Sequence, residues 1–142
     1  MSITKVIDDP SADWLREAPA SESAITSLVA SSSWELPADY LDFLRLSNGG
    51  EGELGIQPCW FCMWRAEEVI AFATDYQVAD YAPGFFAFGT NGGSELLAFD
   101  CRSSPPWPVV ALPSIGLEPD EAMPVSANFG DFAQQMGRSY KE

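Results

Sequence analysis

Cys59 and Cys62 are the first residues of this chain whose type and spacing suggest chemistry. A C-x-x-C pair serves as a redox couple or as half of a zinc site. Trp60 and Phe61 between them read as strand, and residues three apart in a strand point to opposite faces. The sulfurs then diverge, and the pair reads as two apolar thiols. Cys101 is the only further thiol and the sequence holds no histidine, so a tetrahedral zinc site falls short of its usual four ligands. The lack of histidine also removes the commonest general base and every Ser-His or Cys-His nucleophile pair.

Paired carboxylates are the other chemical option, as in acid–base cleavage of glycosides. Glu51 with Glu53, Glu67 with Glu68, and Glu95 with Asp100 are the candidate pairs. With 21 Asp and Glu in 142 residues such pairs arise by chance, and Glu67 and Glu68 fit the first turn of a helix. Gly49 and Gly50, and Gly92 and Gly93, lack the spacing and the following Lys-Ser/Thr of a phosphate loop. No catalytic residue, metal or cofactor is expected from these patterns.

The acids say more together than in pairs. Against 7 Lys and Arg they leave a formal net charge of −14, which repels nucleic acid and anionic membrane surfaces and attracts basic partners. The same charge also serves solubility. Aromatic residues supply anchors for a protein interface, although core is their commoner fate. Trp60 and Trp64 have the even spacing of one strand face; Trp34 reads as core; Trp107 lies among Pro105, Pro106 and Pro108 and is a candidate anchor.

These residues need a scaffold, and the chain has the length and apolar content of one domain. Residues 1–21, punctuated by Pro10 and Pro19, read as a polar N-terminal extension with one helical turn around Trp14 and Leu15. The domain is expected over 22–142. A helix is predicted from Glu22 to Ala30, with Ala24, Ile25, Leu28 and Val29 on one face. The next opens at Pro37, carries Tyr40, Phe43 and Leu44, and ends at Gly49 and Gly50. Strands are expected at Glu53–Ile56 and Trp60–Trp64, then a helix over Ala66–Ala79. Phe85–Gly89 and Glu95–Asp100 flank the turn sequence TNGGS and read as a hairpin. Val109–Leu112 and Met123–Ala127 are further strands, and Asn128 caps a last helix carrying Phe129, Phe132, Ala133 and Met136. The order ααββαββββα predicts an α+β domain: an antiparallel-rich mixed sheet of about six strands with helices packed on it.

The stretch LPADYLDFLRLSNGG resembles the signature of the SUKH superfamily, the cell-wall-assembly-regulator-like domains: Leu36, Pro37, Asp39, Tyr40, Phe43, Leu44, Asn48, Gly49 and Gly50 fit its pattern. FAFGTNGGSELLAFD resembles the family's second motif through Phe88, Gly89, Gly92, Gly93, Glu95, Phe99 and Asp100, with Ser94 where a third Gly is usual. The resemblance runs from about Glu22 to Gly137 and implies the α+β fold read above. It also implies a non-catalytic protein-binding role. Bacterial members are implied to be immunity proteins that neutralise toxins, many of them nucleases; others are implied to be regulatory or scaffolding modules.

A nuclease site that holds phosphates is basic, so an acidic inhibitor suits it. The expected partner is therefore a protein, a basic toxin domain, with neither nucleic acid nor membrane bound directly. The contact candidates are Glu51, Glu53 and Glu95 near the glycine turns, Asp75 and Asp80 on and after the third helix, and Trp60 and Trp107 as anchors. MSITKVIDDPSADW has no apolar run after a basic segment, and no stretch reaches the roughly 18 apolar residues of a membrane span. With an odd number of cysteines, the expected compartment is the cytoplasm.

Overall fold

Polar side chains open three of the helices in the computed structural model, which describes residues 2–141. Ser2 accepts from the Lys5 N–H, Ser21 from Ala24 and Asn128 from Asp131, each satisfying a first-turn donor that has no partner within its helix. Along the described residues run α1 (Ile3–Ile7), β1 (Leu15–Arg16), α2 (Glu22–Ser31), α3 (Ala38–Leu46), β2 (Gly50–Glu53), β3 (Trp60–Met63), α4 (Val69–Asp75) and α5 (Val78–Tyr81). Then come β4 (Phe85–Thr90), β5 (Glu95–Asp100), β6 (Val109–Pro113), a 3-10 turn at Pro119–Glu121, β7 (Met123–Ser126) and α6 (Phe129–Gln134).

The strands form one seven-stranded sheet in chain order, β1-β2-β3-β4-β5-β6-β7, with every neighbouring pair antiparallel. The α+β class holds, but the sheet is wholly antiparallel rather than mixed. Each strand pairs with the one before it, so no crossover brings parallel neighbours together.

Aromatic rings make the centre of the core. Tyr40 of α3 lies 5.5 Å from Phe99 and 5.6 Å from Phe88, ring centre to ring centre, and 5.5 Å from Phe129 of α6. Phe43 reaches Phe129 at 5.8 Å, and Phe88 reaches Phe132 at 5.9 Å. These tilted and edge-on contacts are the favoured geometries for ring pairs. They join α3 and α6 to β4 and β5.

Further expectations change. Residues 1–21 do not simply extend from the domain: Ile3 and Ile7 are buried in α1, and Leu15 pairs with Glu51 as an added edge strand. The expected helical turn at Trp14 and Leu15 is absent, because Trp14 packs on Phe43 and Phe61 while Leu15 enters the sheet. Met1 and Glu142, the outer limits of the two expected segments, lie outside the described residues.

The helix expected over Ala66–Ala79 is two helices, broken at Gln77, whose φ of +58° is left-handed. Periodicity up to Tyr76 cannot reveal that Val78 and Ala82 must also reach the core, and the turn at Gln77 buries both. Finally, β2 starts at Gly50 instead of Glu53. Glycine is a poor strand former, yet Gly50 and Gly52 are required here because Trp14 lies directly over them.

Candidate partner-binding site

Alternation along β2 decides which residues face out. Gly50 and Gly52 are buried, whereas Glu51 and Glu53 are exposed. Antiparallel pairing sets Glu53 opposite Trp60 and Glu51 opposite Cys62 on β3, with Leu15 of β1 opposite Glu51 on the other side. Residues directly opposed across a ladder share a sheet face. Two carboxylates thus stand between two apolar groups that remain open to solvent: Leu15 is 61% exposed and Trp60 38%.

This face forms one side of an open groove of about 1140 Å³, whose other wall includes Arg138, Ser139 and Lys141. The wall is held in place by both chain ends. Asp13 donates its N–H to Gly137 O at 3.1 Å, and Gly137 donates to Glu53 O at 2.8 Å. Arg138 donates to Asp9 at 2.9 Å, to Ser11 Oγ at 3.0 Å and to Gln134 O at 2.9 Å. The Ser11 N–H and hydroxyl, then the Arg138 guanidinium, hold the Asp9 carboxyl below its usual range. Ser139 Oγ donates to Glu53 Oε2 at 2.8 Å. Among the described residues no ion pair includes Glu51 or Glu53.

Glu95 sits beside this region in a structural role. Trp60 packs against the β4–β5 turn so closely that a Cβ at Gly92 would lie 2.7 Å from its Cδ1. In that turn Asn91 donates to Glu95 Oε1 at 3.1 Å and accepts the Gly93 and Glu95 N–H groups. The structure therefore brings Glu51, Glu53, Trp60 and the Glu95 turn together.

The other candidates lie apart. Asp75 ends α4 and Asp80 lies on α5, both exposed. Asp80 borders a separate cleft of about 550 Å³ with Trp34, Ile70, Val78 and Phe85. Trp107 is not an exposed anchor: it is 6% exposed, lies 6.2 Å from Phe99 and donates its indole N–H to Ser103 O at 2.9 Å. Trp64 likewise departs from Trp60, because β3 ends at Met63 and Trp64 is buried against Phe72 and Tyr76.

Leu15 was missed as a site residue, as were Arg138, Ser139 and Lys141. The isolated apolar pair Trp14–Leu15 in a polar stretch was the available signal; nothing local reveals that the C-terminal segment forms the facing wall.

Two of the three thiols are held toward the protonated form. Cys59 lies outside β3 with a left-handed φ of +76°, while Cys62 faces outward beside Thr90 and Glu51. Burial and then Glu51 push the Cys62 thiol up, and burial pushes Cys101 to about 12, so both disfavour the thiolate. Among the described residues no three Cys, Asp or Glu side chains are grouped to hold a metal ion. No helix among them is long and apolar enough to cross a membrane.

The sequence motifs themselves are structural. Asn48 donates to Glu67 Oε1 and accepts the Ala66 N–H, both at 2.8 Å, tying the end of α3 to the approach to α4. A Cβ at Gly49 would stand 2.7 Å from Met63 O, so the following turn needs glycine for close approach as well as for its φ of +96°. Residues 19–135 match the model of the SMI1 / KNR4 family (SUKH-1). No curated protein matches the chain.

Proposed function

We propose, from the premise that this chain belongs to the SMI1 / KNR4 family (SUKH-1), that it is a non-enzymatic cytoplasmic domain that binds and neutralises a basic toxin. The observation that carries this reading is the sheet face where Leu15 and Trp60 flank Glu51 and Glu53, carboxylates that no cation of the described chain neutralises. An apolar anchor beside carboxylates that form no ion pair suits a protein partner of opposite charge. The net charge of −14 extends the attraction beyond the contact. A nuclease toxin fits best, because acidic groups placed over its site occupy the position of phosphates.

The test is co-expression with toxin domains encoded beside this gene, joined to binding measurements at several salt concentrations. Rescue of growth together with tight, salt-sensitive binding is the expected result. Failure to rescue from any adjacent toxin overturns the role. Recovery of housekeeping proteins from the native host, with no toxin gene nearby, favours a regulatory or scaffolding module instead.

A further inference from the structure

We infer that the groove over β2 is a dock for an extended segment of the partner that carries Lys or Arg at positions i and i+2. The inference rests on the protein-binding reading above and adds the shape and spacing of what is bound. Glu51 and Glu53 lie two residues apart on one strand, so their side chains leave the same face about 7 Å apart. An extended segment laid along that strand repeats its own side chains at the same spacing. A helix presents same-face residues three or four positions apart and does not keep this register.

The flanks fit long basic side chains. Leu15 stands beside Glu51 and Trp60 beside Glu53. Each carboxylate thus has an apolar neighbour along which a Lys or Arg stem can lie while its charged head reaches the oxygen atoms. The open indole of Trp60 also attracts a cation over its face. Arg138 on the facing wall is already committed to Asp9, and Lys141, which also lines the groove, forms no ion pair with Glu51 or Glu53 among the described residues. The side without an ion pair among the described residues is the acidic strand, where the Glu53 carboxylate accepts the Ser139 hydroxyl.

The walls add a second point. The matched family region spans 19–135, so Leu15, Arg138 and Lys141 all lie outside it. Glu51, Glu53 and Trp60 lie inside. The facing wall is held where the two terminal segments clasp through Asp13–Gly137 and Asp9–Arg138. Selectivity for the partner segment is therefore a property of this chain's own ends as much as of the shared fold.

The experiment uses the whole chain and three synthetic peptides of identical composition, each with two lysines among Ser, Thr and Val. The lysines are spaced i,i+1 in the first, i,i+2 in the second and i,i+4 in the third. Binding is followed by the indole N–H and amide signals in a two-dimensional NMR titration. The i,i+2 peptide is expected to bind about tenfold more tightly than its isomers, the gain of roughly one additional charge-assisted contact. Its shifts should centre on Leu15, Glu51, Glu53 and Trp60. The double substitution Glu51→Gln with Glu53→Gln should erase the preference. Glu118→Gln with Glu121→Gln, the same change of charge elsewhere, should leave it. Equal binding of the three isomers, or shifts centred elsewhere, overturns the dock. Loss of the isomer preference with toxin rescue intact would remove the dock and leave the neutralising role. Preference without rescue would remove the toxin and leave the dock.

Discussion

The indole of Trp14 lies so close over Gly50 that a Cβ on that glycine would stand 2.6 Å from Trp14 Cζ3. A Cβ on Gly52 would stand 2.6 Å from Trp14 Cβ, and one on Gly137, from the opposite chain end, 2.7 Å from Trp14 Cδ1. Three glycines, each remote from Trp14 in sequence, thus make room for this one residue and its ring. That ring stacks on Phe43 at 5.8 Å and meets Phe61 edge-on at 5.5 Å, which joins the N-terminal segment to the core.

Trp14→Ala is accordingly expected to destabilise the fold by about 3 kcal/mol, in the range for losing a packed aromatic side chain. Gly52→Ala is expected to cost about 1 to 3 kcal/mol by overpacking against Trp14. Urea unfolding with matched m-values checks both. Because β1 and the C-terminal wall meet at this ring, Trp14→Ala should also weaken partner binding.

Tyr40 is expected to tolerate loss of its hydroxyl. It is fully buried among Phe rings, and its Oη has no hydrogen-bond partner among the described residues. Burial also pushes its ionisation well above the usual tyrosine range, so it stays neutral. Tyr40→Phe should leave stability unchanged or raise it by about 1 kcal/mol, whereas Tyr40→Ala should cost about 4 kcal/mol. Urea unfolding of the two variants is the check, and a clear loss for Tyr40→Phe would show that the hydroxyl is satisfied.

Stability should fall in acid for a specific reason. The Arg102 side chain holds the Asp100 carboxyl below its usual value, with donors at 2.9 Å to both oxygens. A depressed carboxylate stabilises the fold above its unfolded pKa of about 4, and that contribution disappears as pH falls through its folded value. Asp39 has the opposite sign. Burial pushes it up, so its contribution is present below about pH 4 and is lost as pH rises through its folded value. In urea midpoints between about pH 3 and pH 7, Asp100→Asn should lie below wild type at neutral pH and converge with it in acid. Asp39→Asn should gain on wild type as pH rises.

Binding kinetics should separate the acids from the aromatic anchor. Glu53→Gln should mainly slow association with the cognate partner, and added salt should slow wild type steeply, because screening shortens the field to about 8 Å at physiological ionic strength. Trp60→Ala should mainly speed dissociation and cost about 2 kcal/mol. Trp107→Ala should unfold the protein more readily instead, since that ring is buried. An association rate that stays flat with salt would assign the acidity to solubility.

Much of this protein is a local matter and was readable as such. The Asn128 cap, the TNGGS turn and the stripe of Tyr40, Phe43 and Leu44 are set by neighbours within a few residues, and the structure places them as read. Glu51 and Glu53 announce themselves by type, and their shared face follows once β2 exists. Net charge and the absence of histidine are properties of the sequence alone.

What pairs with those residues depends on contacts across the whole chain, which local patterns do not encode. β2 is a strand because Trp14 and β1 cover its glycines; no β propensity in GEGE announces it. Trp60 stays partly open and Trp107 is closed in because one stands at the start of β3 and the other packs on Phe99 with its indole N–H held by Ser103 O. The groove needs Asp9 and Arg138, 129 residues apart, to meet. Sequence determined which groups this protein can offer a partner; only the closing of its two ends over the sheet decided where they are offered, because that closure is driven by packing between residues that are remote along the chain.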